Sequence, residues 1–206
     1  MIKKMRAIEY NTLKTLIKLL IDNIPVIAKE YGIVSGDISV IPSYPADLTS
    51  LEKPSIIVRK VDTRQSKIGL GNILGQYFDE SNHKLVDIVG KRHDMMYQFD
   101  VVASNSTDRA LLESMISDDI FNLISYKQSG RFPLYDFLKG NNNIEEIGTI
   151  QLVGDPTLYD IDDKDSSYDN YIGFIRQNFV VIQNVVLDNE YVDLSNGIKQ
   201  SFKIKF

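Results

Sequence analysis

Residues 95–112 read Met-Met-Tyr-Gln-Phe-Asp-Val-Val-Ala-Ser-Asn-Ser-Thr-Asp-Arg-Ala-Leu-Leu, and this stretch decides the fold. Its first half alternates, with apolar side chains on one predicted strand face at Tyr97, Phe99 and Val101. Since successive side chains of a strand point to opposite faces, Gln98 and Asp100 point the other way. We expect Asp100 to face solvent there.

The second half of the stretch starts a helix. Residues 104–108 are rich in helix-capping side chains, and Asp108 places an acid near the helix start. The helix is predicted to run to about Tyr126, with a buried face made of Leu112, Met115, Ile116, Ile120, Leu123 and Ile124. A strand that feeds directly into an amphipathic helix implies that the helix packs back on the sheet.

An apolar stripe at helical spacing predicts a further helix near the N-terminus. Its members are Leu13, Leu16, Ile17, Leu20, Ile21 and Ile24. Asn11 or Thr12 is the expected N-cap, and Pro25 is expected to end or kink the helix.

Short β-branched runs predict the strands of the sheet. They are residues 38–41, 54–61, 85–89, 95–103, 147–153, 174–187 and 197–206, with residues 90–92 joining the third to the fourth. We expect an irregular loop at 67–75, a helical turn after Pro133 and an exposed loop at 155–170. The predicted fold is α+β: a mixed or antiparallel sheet flanked by an N-terminal helix and a second long helix. We predict one domain, 1–206, with loop insertions at about 62–84 and 127–170.

Composition limits the function classes. The chain has 206 residues, a formal net charge of −5 and no cysteine. The average surface should therefore repel nucleic acid and anionic membranes. Disulfides and thiolate metal sites are excluded. The most apolar early stretch, residues 16–28, is interrupted by polar residues and Pro25, so we expect neither a signal peptide nor a membrane span.

No metal or cofactor site is predicted. The two histidines, His83 and His93, lack the close spacing of a zinc pair. An EF-hand that started at Asp160 would need Gly and Glu where Asp165 and Tyr171 stand. The glycines of residues 69–75 do not fit the dinucleotide or nucleotide-hydrolase fingerprints, so we expect no cofactor.

No catalytic residues are predicted either. A Gly-x-Ser-x-Gly elbow is absent from the sequence. Glu145 and Glu146 are adjacent, so on a strand their side chains would point to opposite faces. Lys199, Lys203 and Lys205 alternate on one predicted strand face, as charges on an edge strand do, so we do not expect them to recognise nucleic acid directly.

The order of these elements resembles the tail terminator and tail-completion (neck) proteins of tailed bacteriophages, of the contractile-tail type. Residues 95–124 carry the likeness, because those proteins show an alternating strand, a small polar turn and then a helix packed on the sheet. The helix at 12–24 before the first strand is also similar. The resemblance implies a virion protein that is assembled in the host bacterial cytoplasm.

The resemblance also implies partners. It predicts a ring, commonly a hexamer, that caps the tail tube and connects the tail to the head connector. Its contacts would be the proteins of the tail tube and the neck, with sheath proteins as a further option. DNA would only pass through the ring, and membranes would not be a partner. The residues that we expect to face neighbours or the channel are Gly69, Gly71, Gly75, Asp160, Asp162, Asp163 and Asp165. Another neck component, such as a head-completion or stopper ring, remains open. So does a small ligand-binding domain that uses residues 69–75 as a clamp; an enzyme is the least favoured class.

Overall fold

The computed structural model describes residues 7–32, 38–46, 50–66, 73–81, 84–138, 145–165 and 170–187. The helices are α1 (Ile8–Glu30), α2 (Ser106–Ser114) and α3 (Asn122–Gln128), with a π-helical segment, Met115–Phe121, between the last two. The strands are β1 (Ser39–Ile41), β2 (Ser55–Ser66), β3 (Ile73–Asp79), β4 (Lys84–Ala103), β5 (Arg131–Asp136), β6 (Glu145–Asp165) and β7 (Asn170–Leu187). The predicted α+β class is confirmed.

The strands form one curled sheet in the order β1-β2-β4-β7-β6-β5, and β3 pairs with the first part of β4. Only β1 and β2 are parallel; the other pairs are antiparallel. The sheet is therefore mixed, with β4 and β7 at its centre. Because the helices cover one face of these strands, the other face is free to carry polar groups.

The main core lies between the helices and one face of the sheet. Phe179 of β7 stands at its centre, with edge-to-face contacts to Tyr97, Phe99, Phe121 and Phe132. Such aromatic arrangements stabilise a core beyond the area they bury. The strand face predicted from the alternation of Tyr97 and Phe99 is thus the buried one.

Helix α1 differs from the prediction at both ends. It begins at Ile8, and Asn11 and Thr12 are buried inside it, so neither is the N-cap. Pro25 lies within the helix, which continues to Glu30, so the proline does not end it; the alternative of a kink at Pro25 stays a prediction. Tertiary packing favours this continuation, because Ala28, beyond the proline, is buried in the core.

Side chains of α1 also cover the outer edge of β5. Thr15 Oγ1 accepts a hydrogen bond from the Tyr135 backbone N–H at 3.2 Å. Asn11 Oδ1 accepts one from the Phe137 N–H at 3.1 Å, and its Nδ2 donates to Asp136 at 3.3 Å. The same helix contacts β1 and β2, so it spans the opening of the curled sheet.

The predicted second helix is present from Ser106 to Gln128. Asn105 is its N-cap and accepts a hydrogen bond from the Asp108 N–H at 2.8 Å. The π-helical segment interrupts it and places Phe121 against Phe99, with ring centroids 5.3 Å apart. The wider turn of a π-helix rotates the residues that follow it, which explains how both halves keep a buried face.

Several predicted loops are strands. Residues 90–92 are not a connection, because β4 runs unbroken and Gly90 pairs with Asn184 of β7. The predicted insertion at 62–84 contains the end of β2 and all of β3, and the insertion at 127–170 contains all of β5 and β6. Pro133 lies in β5, not in a helical turn. An outer strand tolerates proline because the missing N–H has no ladder partner to lose. The predicted strand at 197–206 lies outside the described residues.

A bulge bends β6 at residues 154–156. Gly154 has a φ of +68°, a conformation that glycine adopts without strain. The buried side chain of Gln177 donates to the carbonyls of Val153 and Gly154 at 3.2 and 3.1 Å. With these carbonyls satisfied, β6 pairs again with β7 from Thr157 and continues to Asp165. The loop predicted at residues 155–170 is therefore wrong up to Asp165.

Candidate functional site

The candidate site is a row of polar side chains on the open face of the sheet. Gln98 and Asp100 point away from the helices, as predicted, but they are only 5% and 1% exposed, so the expectation that Asp100 faces solvent was wrong. The cause is that β2 and β7 flank β4 on both sides. Side chains of these strands, among them Arg59 of β2 and Arg176 of β7, contact Gln98 and Asp100 and cover them.

Four side chains join into one continuous network across β2, β4 and β7. Arg59 Nε lies 2.6 Å from Asp100 Oδ2. Gln98 Nε2 donates to Asp100 Oδ1 at 2.5 Å, and Arg176 Nε donates to Gln98 Oε1 at 2.8 Å. The contact of Arg59 is an ion pair and not an aligned hydrogen bond, since Asp100 Oδ2 accepts none. Two cations, one buried anion and one amide therefore lie in a line.

Aromatic rings hold both guanidinium groups. Arg59 lies over the ring of Tyr44, 5.4 Å from its centroid. Arg176 lies over Tyr159 and Phe174, at 5.0 and 5.2 Å, and these two rings stack on each other. Cation–π contacts of this kind restrict a flexible arginine and stabilise it by about 0.5–1 kcal/mol at exposed sites.

Tyr44 is tied electrostatically to the same carboxylate. Burial raises the pKa of its hydroxyl above the usual value of 10.0, and the negative charge of Asp100 and a hydrogen bond to it raise it further. The positive charge of Arg59 acts in the opposite direction. Because its pKa is raised, Tyr44 stays protonated at neutral pH and is a hydrogen-bond donor, not a base.

A small second core supports this end of the open face. Its buried members are Leu51, Ile57 and Val102, and Ile41, Tyr44 and Ile172 pack against it. The stretch that includes Tyr44 thus folds over the sheet beside Asp100. This packing gives the network a rigid apolar neighbour on one side and leaves the other side open.

The network borders a cavity of about 450 Å³. Its walls include Tyr44, Arg59, Asp100, Phe174 and Arg176. A cavity of this size is in the range of small-molecule sites. Asp100 already contacts three neighbours, so the groups that remain available for a ligand are the arginine ends. The arrangement is suited to holding negative charge, and it offers no nucleophile next to a base.

The residues predicted as contacts do not come together. Gly69 and Gly71 lie outside the described residues, and Gly75 lies at a bulge in β3 opposite Ile88 of β4. Asp160, Asp162, Asp163 and Asp165 lie in β6, not in a loop. Asp160 lies level with Val101 of β4 through Gly173 of β7. Ile88 and Val101 are thirteen residues apart on one strand, or roughly 40 Å at about 3.3 Å per residue.

The sequence analysis missed Tyr44, Arg59 and Arg176. One signal was present, because Asp100 sits between the apolar residues Phe99 and Val101, where an acid needs a partner if neighbours cover it. Which cations would supply that partner depends on the pairing of β2 and β7 with β4. The sequence alone does not give that register.

Comparison with known proteins adds no family: no family model matches the chain, and no curated protein matches it. Within the described ranges, His, Asp and Glu residues form no group of three that could hold a metal ion. Among the described helices, none combines the length and apolar character needed to cross a membrane.

Proposed function

We propose that this chain is a structural subunit of the bacteriophage head–tail junction, a tail terminator that assembles into a ring, caps the tail tube and connects the tail to the head connector. The resemblance of residues 95–124 to such proteins supports the proposal. So does the α+β architecture, in which the strand β4 leads straight into α2 and the helix packs on the sheet.

The observation that carries the proposal is exposed apolar surface at both ends of the long sheet. We call the first the β3–β4 end: Tyr77, Phe78 and Leu85, all strongly exposed. We call the second the β6–β7 end: Leu158 and Tyr159, also exposed. Phe78 and Leu85 are register partners and so share one face, whereas Leu158 and Tyr159 present apolar side chains on both faces of β6. Exposed large apolar side chains that lie together mark contact sites between proteins.

The two ends are far apart and different, which favours a ring. Leu85 and Asp100, the β4 residue level with Tyr159, are fifteen residues apart on β4, or roughly 50 Å of extended chain. One subunit could therefore place its β3–β4 end on the β6–β7 end of the next. Contacts between unlike surfaces produce a closed ring when the rotation closes.

Charge is consistent with a DNA passage. Each copy carries a formal −5, so six copies carry −30. A channel bordered by acidic residues repels the phosphate backbone and lets DNA pass without sticking. In this proposal Asp160, Asp162, Asp163 and Asp165, on the strand that also carries the β6–β7 end, face the channel or a neighbour.

The decisive experiment disables each end separately. Phe78→Asp and Leu158→Asp place a charge in the two proposed contacts, and Val26→Asp, on the exposed side of α1, is the matched control. Light scattering after size exclusion, with and without purified tail tubes, measures the assembly. The wild type and Val26→Asp should form rings, alone or on tubes, whereas neither end variant should.

Mixing the two end variants sharpens the test. The intact β6–β7 end of a Phe78→Asp copy can still bind the intact β3–β4 end of a Leu158→Asp copy, so the mixture should stop at dimers. Rings from the mixture, or a wild type that stays monomeric on tubes, would refute the proposal. A wild-type ring that binds the head connector but no tube would assign the chain to another neck component instead.

A further inference from the structure

We propose that the open face of the sheet carries an oxyanion-binding site, formed by Arg59 and Arg176, for a small ligand with carboxylate or phosphate groups. This inference goes beyond assembly and does not depend on it. We call the site the arginine cradle, defined by Arg59, Arg176 and the residues that hold them, Tyr44, Gln98 and Asp100.

The first argument is how the arginines are held. Each is anchored through Nε: Arg59 on Asp100 at 2.6 Å, and Arg176 on Gln98 at 2.8 Å. In the part of the chain that the structure describes, their terminal nitrogens have no hydrogen-bond acceptor. Guanidinium ends are the donors that bind carboxylates and phosphates in pairs.

The second argument is pre-organisation. Stacking on Tyr44 holds one guanidinium, and stacking on Tyr159 and Phe174 holds the other. A free arginine loses side-chain entropy when it is fixed, and here the ring contacts restrict both side chains before a ligand arrives. This favours binding over the solvated, mobile arginines that are common on surfaces.

The third argument is local charge. The protein as a whole is acidic, but the cradle has two cations against one carboxylate, and Gln98 adds no charge. Asp100 is nearly fully buried, whereas Arg59 keeps 45% of its side chain exposed. One net positive charge therefore remains, and it borders the cavity of about 450 Å³.

The spacing of the arginines narrows the ligand. Arg59, Gln98 and Arg176 are register partners on three neighbouring strands. Two strand spacings put the backbones of the arginines about 10 Å apart. A small di- or tricarboxylate can reach both guanidinium groups, whereas a single inorganic phosphate can bridge them only if the side chains converge. We therefore expect citrate to bind more tightly than phosphate.

Isothermal titration of the full chain with citrate, and separately with phosphate, tests the cradle. Sodium chloride at matched ionic strength is the reference for general screening. Arg176→Gln removes one of the two guanidinium groups, each a planar, forked pair of hydrogen-bond donors. Arg59→Lys keeps the positive charge beside Asp100, which protects the fold, but removes the planar fork. Arg64→Gln is the matched control, since Arg64 is on β2, pairs through Nε with Asp62 at 3.2 Å and is 83% exposed.

Saturable citrate binding that weakens at least about tenfold in Arg176→Gln and in Arg59→Lys, but not in Arg64→Gln, is the expected result, because each lost charged fork removes about 1.5–3 kcal/mol. Absence of binding above the chloride reference would overturn the proposal, as would equal loss in Arg64→Gln. Oligomeric mass is measured in the same buffers with and without tail tubes, so a chain that binds citrate but forms no ring even on tubes would refute assembly and leave the cradle intact.

Discussion

Gln98 donates a 2.5 Å hydrogen bond to Asp100, two residues further along the same strand face. This contact lets one buried carboxylate receive an amide from its own strand and a guanidinium, that of Arg59, from the next. A buried charge is tolerated only when it is paired and hydrogen-bonded. The pair thus explains how an acid can be buried between Phe99 and Val101 near the end of β4, and it leads to the first prediction.

Asp100→Ala should destabilise the fold by about 2–3 kcal/mol, because Arg59 loses its ion-pair partner and the buried Gln98 amide loses its acceptor. The half-exposed position of Arg59 keeps the cost below that of a fully buried pair. Urea denaturation measures the free energy of unfolding. Asp62→Ala removes an exposed ion pair and should change it by less than about 0.5 kcal/mol. Equal effects of the two substitutions would contradict the role given to Asp100.

Gly148→Ala should cost about 2–4 kcal/mol, since an added Cβ would overlap the Ile182 carbonyl oxygen and lie 3.0 Å from Gln183 Cα. Both neighbours are backbone of β7, which cannot move without breaking its pairing. Gly75→Ala is the control, because nothing lies within 4 Å of its added Cβ. Thermal unfolding of both variants, side by side, checks the contrast; a tolerated Gly148→Ala would mean that β6 and β7 are not this close.

Thr15→Val should cost about 1–2 kcal/mol, because the Tyr135 N–H at the edge of β5 loses its acceptor while the shape of the side chain is kept. Thr12→Val removes a hydroxyl that only donates within α1, to Ile8, and should cost less. The direct measurement is the rate of hydrogen exchange at the Tyr135 amide. It should speed up in Thr15→Val and stay slow in Thr12→Val; unchanged exchange in both would show that α1 does not protect this edge.

His93 should give stability a pH dependence. Burial, and then the charge of Lys91, lower the pKa of its imidazole below 6.5, while Glu9 and Asp94 oppose the shift. The unfolded chain therefore binds a proton at a higher pH than the folded chain does. Stability is at its full value above pH 6.5, falls as the pH drops through 6.5, and levels off below the folded pKa.

The measurement compares the free energy of unfolding at pH 7.5 and 5.5. His93→Gln should reduce the difference in the free energy of unfolding between the two pH values. His83→Gln is the control for the other histidine. A drop that survives in His93→Gln but disappears in His83→Gln would contradict the assignment. His93→Gln should leave the proposed assembly unchanged, since no proposed contact includes His93.

The elements that local sequence determines were predicted well. The strand around Tyr97 and the helix after Asn105 follow from alternation and capping, which act within a few residues. The strand through Gly90 was missed because it depends on pairing with Asn184, almost a hundred residues away. Burial of Asp100 was missed for the same reason: periodicity gives the face of a residue, but the covering side chains come from other strands.

The contact between Thr15 and the edge of β5 also limits how copies can join. A β-sheet grows from copy to copy only if each copy offers a free edge on both sides. In the described part of the chain, the N–H groups of Tyr135 and Phe137 are already occupied by α1. Strand addition at this side is blocked, so open-ended fibres built by sheet extension are disfavoured.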